Sequence, residues 1–261
     1  MSIPLRLQLA IALVTLNILG TAAVAAFAYR ASRSTLEAQA ARAVGVVAQE
    51  REQALLQLLQ RRQERMGAFL ESTESLCAEK APRGTLGWES ECVRVALSGF
   101  QTAERAAAAE LRYRDRRLAS GGTWPAASRF EPTDQLVTIA RGTGRNDYTM
   151  QAVRDLLTLR VRLPLDDIDA LFQDRSGLET TGEVFLTDSQ GRLLTLARYP
   201  VDADQRVLDG PLQPCLIGQI GETLAPDYHG VPVLSAYRPV PALGGGCIVA
   251  NLQYAEALVP I

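Results

Sequence analysis

The sequence predicts an α+β chain in which an N-terminal transmembrane helix and a long stalk helix carry two antiparallel β modules. Three observations predict it. An uncharged apolar run opens the chain, a proline-free stretch with helical periodicity follows, and beyond about Gly99 the hydrophobic pattern changes to period two. The 261 residues suffice for two modules beyond an anchor. With 47% hydrophobic and 21% charged residues the chain has an ordinary globular composition, which argues for a folded chain. A formal net charge of −2 and the lack of a dense basic block exclude nucleic acid as an expected partner.

The run from Leu7 to Tyr29 holds no Asp, Glu, Lys or Arg. At 1.5 Å per residue it just spans a hydrocarbon core of about 30 Å. It therefore reads as a membrane helix. The rival is a cleaved signal peptide, with Arg6 before the run and Ala23-Val24-Ala25 or Ala26-Phe27-Ala28 as a small-residue cleavage site; the length of the run favours the anchor. Thr21 with Ala25, and Ala22 with Ala26, place small residues four apart, where a second membrane helix would approach closely.

Basic residues on both sides, Arg6 against Arg30 and Arg33, leave orientation undecided by charge. Cys77, Cys92, Cys215 and Cys247 all lie beyond the span and show no CxxC spacing, so they point to disulfides and an oxidising compartment. The bulk of the chain is then expected outside the cytoplasm, in the periplasm, with one pass through the inner membrane. Four cysteines allow three pairings. The sequential one, Cys77 to Cys92 and Cys215 to Cys247, is favoured because each pair brackets a Pro- or Gly-containing connection, and four buried thiols are the alternative. Closing the first loop is worth about 3 kcal/mol.

From about Ser32 to Leu76 the sequence has no proline, and Ala40, Val44, Val47, Leu55, Leu58, Met66, Phe69, Thr73 and Leu76 recur in steps of three and four. The spacing predicts one amphipathic stalk helix about 65–70 Å long. Pro82, Gly84 and Gly87 break it, and Trp88 opens a second helix through about Gly99. Next, "AAAAELRYRDRRLAS" predicts a hairpin, "DQLVTIARG" a strand, and "TMQAVRDLLTLRVRLPL" one long or two short strands. "LDDIDALFQDRSG" predicts a short helix, capped and charged in its first turn by Asp166 and Asp167, with Gly177 near its end.

Val184, Leu186, Leu193, and then Thr195 or Leu196, alternate around the turn Asp188-Ser189-Gln190-Gly191, which predicts a hairpin over Thr180–Pro200. Pro200 to Gly230 reads as a Pro- and Gly-rich loop. "VPVLSAYRPV" and "CIVANLQY" predict two strands joined by "PALGGG", and "AEAL" a terminal helical turn.

Taken together, the long membrane-emergent helix, "LLTLRVRLPLDDIDALF", "TGEVFLTDSQGRLLTLARYP" and "HGVPVLSAYRPVPALGGGCIVANLQYAEALVPI" resemble the double-Cache sensor region of bacterial receptors. The resemblance runs from about Ala31 to Ile261, specific in the final third and loose between Gly99 and Gly144. It implies two PAS-like modules stacked along the stalk, the membrane-distal one taking the ligand, ahead of a second membrane helix and a kinase, chemoreceptor or cyclic-dinucleotide output module. No output module follows within these 261 residues. The expected organisation is 1–29 anchor, 30–98 stalk and disulfide-clasped helix-loop-helix, 99–177 distal module and 178–261 proximal module.

Function follows along two lines. One is a non-enzymatic sensor that binds a small solute and passes the signal through stalk and membrane helix. The other is a structural accessory subunit of a larger membrane complex, respiratory or photosynthetic, without a ligand. The expected partners are membrane lipid, and other membrane subunits or a second copy along the transmembrane and stalk helices. Tyr148, Arg160 and Arg162 are candidate ligand contacts, the arginines offering a bidentate fork to a carboxylate, and Tyr237 is a fourth beside Arg238. The plainer reading of "RVRL" is solvent-facing arginines on a sheet. The amino-acid-binding signature of the better understood double-Cache receptors is not found. His229 is the only histidine, so no histidine-based metal site or Ser-His-Asp triad is expected. No phosphate-binding glycine loop is present, and neither metal nor cofactor is expected.

Overall fold

The computed structural model describes residues 5–78, 90–114, 116–124, 137–142, 145–178, 180–199 and 210–259. The anchor and the stalk form one uninterrupted helix, α1 (Leu5–Ala78), of 74 residues. Its length is about 110 Å at 1.5 Å per residue. No proline falls within it to remove a backbone donor. The apolar N-terminal part is the one helix among the described residues long and apolar enough to cross a membrane, and none of that stretch is buried by the rest of the chain.

Beyond it, Val44, Val47, Ala48, Leu55, Leu59, Met66, Leu70 and Cys77 are buried. They lie in one stripe stepping by three and four, as a helix lying on a sheet requires. Leu76, expected in this stripe, is 64% exposed. The steps from Met66 through Leu70 and Thr73 bring Cys77 inward instead, where it bonds Cys92 at a Cα–Cα distance of 5.9 Å.

The second helix, α2 (Ser90–Ala103), continues past Gly99, where the sequence suggested it would end. Its proposed start at Trp88 lies outside the described residues. A five-stranded antiparallel sheet follows, built from β1 (Ala108–Tyr113), β2 (Arg116–Gly122), β3 (Val137–Gly142), β4 (Arg145–Arg154) and β5 (Leu157–Pro164) in the order β2-β1-β5-β4-β3. The expected hairpin is β1–β2, and "TMQAVRDLLTLRVRLPL" forms two strands that reverse at Asp155, whose φ is 51°. Asp is one of the few residues that tolerate this left-handed conformation.

Strand β5 is buried at alternate positions, Leu157, Leu159, Val161 and Leu163, as period-two patterning demands of a sheet with one face on a core. The helix α3 (Asp166–Gln173) carries Asp166, Asp167 and Asp169 in its first turn. The expected side-chain cap is absent, because the N-cap position is Leu165; the acidic side chains bond elsewhere, Asp167 to Arg62 and Asp169 Oδ1 to the Leu196 N–H at 3.0 Å.

The second sheet has four strands, β6 (Glu183–Thr187), β7 (Gly221–Pro226), β8 (Pro232–Val240) and β9 (Gly246–Gln253), ordered β6-β9-β8-β7. The predicted Thr180–Pro200 hairpin is only partly formed. Its first arm is β6, and its return makes one bridge, Thr187 to Leu193, plus a Leu194 N–H to Leu186 carbonyl bond. Side chains capture the remaining donors: Leu186 N–H bonds the Thr195 hydroxyl, Leu196 N–H bonds Asp169, and Arg198 N–H bonds Glu183, so no ladder continues.

The expected loop before Gly230 also contains structure, a short helix α4 (Leu212–Leu216) and the edge strand β7. Neither shows a buried pattern in sequence. α4 contains Pro214 and is held by the Cys215–Cys247 disulfide at 6.1 Å between Cα atoms, while β7 is half exposed and ends at Pro226, a position an edge strand tolerates. The turn Pro241–Leu243 joins β8 to β9, and α5 (Tyr254–Ala257) closes the fold.

One apolar core runs from Val44 to Ala257 between α1 and the inner faces of both sheets. Leu70 is fully buried in it. Leu70→Ala is expected to cost about 2–5 kcal/mol in urea denaturation, as large-to-small changes at packed sites do. Glu256 accepts the Thr180 and Thr181 N–H groups at 2.9 and 2.8 Å. Desolvation opposes its ionisation, but these bonds and the Thr181 hydroxyl prevail and hold its carboxyl below the ordinary 4.5. Its contribution to stability is therefore complete above that value and is lost as pH falls through the depressed pKa. Glu256→Gln should lower stability at pH 7 and close the gap with the parent as pH drops below about 4, read from melting curves across pH.

Candidate functional site

The faces of the five-stranded sheet differ in chemistry. Its inner face packs on α1 through Ala109, Leu111, Tyr148, Met150, Leu159 and Val161. Its outer face carries the opposite parity. There the register sets Ala108 opposite Arg162, Glu110 opposite Arg160, Arg162 opposite Thr149, and Arg160 opposite Gln151. Facing pairs in an antiparallel sheet hold their Cβ atoms about 4.5–5.5 Å apart. Glu110, Asp147, Arg112, Arg160 and Arg162 are thus gathered on one surface.

Asp147 and Glu110 are 9% and 7% exposed, strong burial for carboxylates. Arg162 Nε lies 3.5 Å from Asp147 Oδ2, and Arg112 Nε bonds Glu110 at 2.9 Å. The Arg160 guanidinium stacks 4.8 Å from the centroid of Trp124, whose indole N–H is buried without a partner among the described residues. Such a surface offers planar cations, carboxylate acceptors and an aromatic wall within a few strands, a set suited to a small solute bearing both charges.

Of the residues expected from sequence, Arg160 and Arg162 come together here. Tyr148 does not join them, since its odd-numbered neighbours Asp147 and Thr149 take the outer face and it points at α1. Its side chain is fully buried, its hydroxyl has no partner among the described residues, and the Arg62 guanidinium lies 5.9 Å from its ring. Burial pushes its pKa up to about 12. Around it Arg62 bridges α1 to Asp167 of α3 and to Glu104, which Arg65 also holds at 2.8 Å.

Tyr237 belongs to the other sheet, where it packs on Phe185, Leu212 and the Cys215–Cys247 bridge. Arg238 bonds Glu52 on α1. His229 is exposed against Tyr199 and Tyr228, and among the described residues no cluster of His, Cys, Asp and Glu could hold a metal ion. The residues that sequence reasoning missed are Asp147, Glu110 and Trp124. Once β4 and β5 were taken as a hairpin, the period-two offset from Arg160 and Arg162 would have marked Asp147.

No family model matches the chain, and no curated protein matches it. Solved structures do. The ligand-binding domain of the Campylobacter jejuni chemoreceptor Tlp3, in complex with L-valine, matches with a TM-score of 0.59 at 14% identity, covering 87% of this chain and 97% of that one. The fold is that of a bacterial sensory domain. The ligand-binding domain of the Pseudomonas aeruginosa PAO1 amino acid chemoreceptor PctB, in complex with L-Arg, matches at 0.54 and 15% identity over 88% and 100% of the two chains. An extracellular domain assigned to a histidine kinase matches at 0.52 and 12% over 82% and 100%. The two-sheet arrangement along one long helix is therefore the Cache-like architecture that the sequence resembles.

The orphaned Tyr148 hydroxyl carries a prediction. Removing an unpaired buried donor relieves a desolvation cost of about 1–3 kcal/mol, so Tyr148→Phe should be neutral or stabilising in urea denaturation. A loss above about 2 kcal/mol would show that the hydroxyl is bonded in solution.

Proposed function

We propose that this chain is a non-enzymatic, membrane-anchored extracytoplasmic sensor module that takes a small zwitterionic or anionic solute on the outer face of the five-stranded sheet. The observation that carries this reading is the cluster of Asp147, Glu110, Arg160 and Arg162, charges drawn out of solvent on the face of the five-stranded sheet that α1 does not cover. Arg160 and Arg162 would grip a carboxylate, and Asp147 would take an ammonium group. The matched chemoreceptor domains were solved with L-valine and L-Arg, which makes amino acids the first solutes to try.

The same strand offers a route for the signal. β5 places Arg160 and Arg162 outward and Leu159, Val161 and Leu163 inward against the core that contains α1. A ligand that pulls on the arginines shifts residues packed on the stalk, and it biases the stalk only as far as it prefers one arrangement over the other. Anchoring rests on the apolar run near the N-terminus. In the membrane Thr21 turns its hydroxyl to the Asn17 and Ile18 carbonyls, leaving the Thr21/Ala25 and Ala22/Ala26 rows free of polar demand and open to a second helix.

Titration calorimetry with the twenty L-amino acids and short dicarboxylates tests the proposal. One of them should bind, and Arg162→Ala should weaken it about tenfold or more, the worth of a charge-assisted bond. Binding that is unchanged in Arg162→Ala and Asp147→Asn would place the ligand elsewhere and sink this reading.

A further inference from the structure

The outer face of the four-stranded sheet holds a second polar feature, separate from the charged face of the distal sheet. Along it the register sets Glu183 opposite Asn251, Asn251 opposite Ser235, and Ser235 opposite Thr223, so four polar side chains form one row across all four strands. The parity is that of Phe185, Tyr237, Cys247 and Val249, which pack under α4, and not that of the residues packed on α1. Three of its four members are buried: Glu183 is 7% exposed, Asn251 5% and Ser235 2%, while Thr223 at the edge is half-buried.

Its hydrogen bonding is incomplete. Asn251 Oδ1 and Ser235 Oγ are both buried without a partner among the described residues. Side chains directly opposite in a sheet stand about 4.5–5.5 Å apart at Cβ, close enough for a bond, yet no side-chain bond joins Glu183, Asn251 and Ser235 to one another. Buried polar atoms in native proteins are nearly always paired, so an orphaned pair in one row calls for an occupant.

Glu183 sets the charge of that occupant. Its carboxylate accepts the Tyr228 hydroxyl, 2.7 and 2.8 Å from its two oxygens, and the Arg198 backbone N–H at 2.6 Å. No cation lies within ion-pair distance of it among the described residues. The nearby Arg198 guanidinium turns away to the Thr180 carbonyl at 2.8 Å and the Tyr199 ring. Burial, followed by the bond to Glu183, drives the Tyr228 pKa well up, so the tyrosine is a fixed neutral donor and leaves the negative charge uncompensated. A buried carboxylate without a counter-charge is costly.

We infer that Glu183, Asn251 and Ser235 form a second binding site, for the ammonium group of a small protonated amine. Such a group brings one positive charge and three N–H donors to a row presenting a carboxylate, an amide oxygen and a hydroxyl oxygen. A guanidinium is planar and suits two parallel acceptors better than a row of three.

The test is thermal melting of the full chain in detergent, with methylammonium chloride or tetramethylammonium chloride at equal ionic strength; the second cation has the charge without the N–H donors. Methylammonium should raise the melting temperature in a saturable way and tetramethylammonium should not. Ser235→Ala and Asn251→Leu, which leave the Glu183–Tyr228 bond in place, should each raise the half-saturating concentration about tenfold. Glu183→Gln should abolish the response. Arg162→Ala should leave it intact, which separates this site from the proposed distal one. Equal shifts with both cations, no shift with either, a response unchanged in the Ser235 and Asn251 variants, or one lost in Arg162→Ala would each overturn the inference.

Discussion

Burial of a single stripe of α1 under both sheets is the constraint on which the structure depends. Residues Val44 to Cys77 step around the helix by three and four, and that stripe packs against both sheets, α2 and α3. Because the core is shared, neither sheet has an inner face independent of the helix. Even the charged members of the stripe are enlisted. Arg51 donates to the Asp174 and Ser176 carbonyls, and Arg62 reaches Asp167 and Glu104, so the segment linking the two sheets is pinned to the same helix. Truncating one partner of such half-buried ion pairs leaves the other exposed to a desolvation cost, which makes them registers for how the stalk sits against the sheets.

With the inner faces committed to α1, chemistry is left to the outer faces, and these differ. The five-stranded sheet turns Asp147, Glu110, Arg160 and Arg162 outward. The four-stranded sheet covers most of its outer face with α4, the Cys215–Cys247 bridge and aromatic rings, leaving the buried polar row at Glu183, Asn251 and Ser235. A buried apolar layer offers a solute little to recognise, whereas paired charges and orphaned acceptors define what each face can bind. Arg33 and Glu37 of α1 both bond the Tyr254 hydroxyl, and the Tyr254 bond, followed by Arg33, holds the Glu37 carboxyl below its ordinary range. The start of α5 is thereby tied to the helix just beyond its apolar run.

Much of this organisation was legible in the residues. Period-two burial in "LTLRVRLP" and helical spacing from Val44 to Met66 are local patterns, and a pattern that repeats along one element survives in the linear order. The cysteine pairs were legible for a related reason, since each closes a short stretch of chain. Legibility failed where side chains replaced backbone partners. The return arm after Gly191 alternates like a strand, but Thr195, Asp169 and Glu183 take its N–H groups. Strand β7 failed in the opposite sense, having no apolar pattern because neither of its faces is buried: its residues alternate between half-buried and exposed.

The residues alone therefore determined the apolar start, the stalk and most strands and favoured the two cross-links that form, all of which follow from periodicity or from chain proximity. Only the tertiary structure decided that Tyr148 turns toward Arg62 while Asp147 turns toward Arg162, and that Glu183, Asn251 and Ser235 share a row. The polar row joins Glu183 to Asn251, 68 residues apart, through strand register, and register is a property of paired strands that no single strand contains.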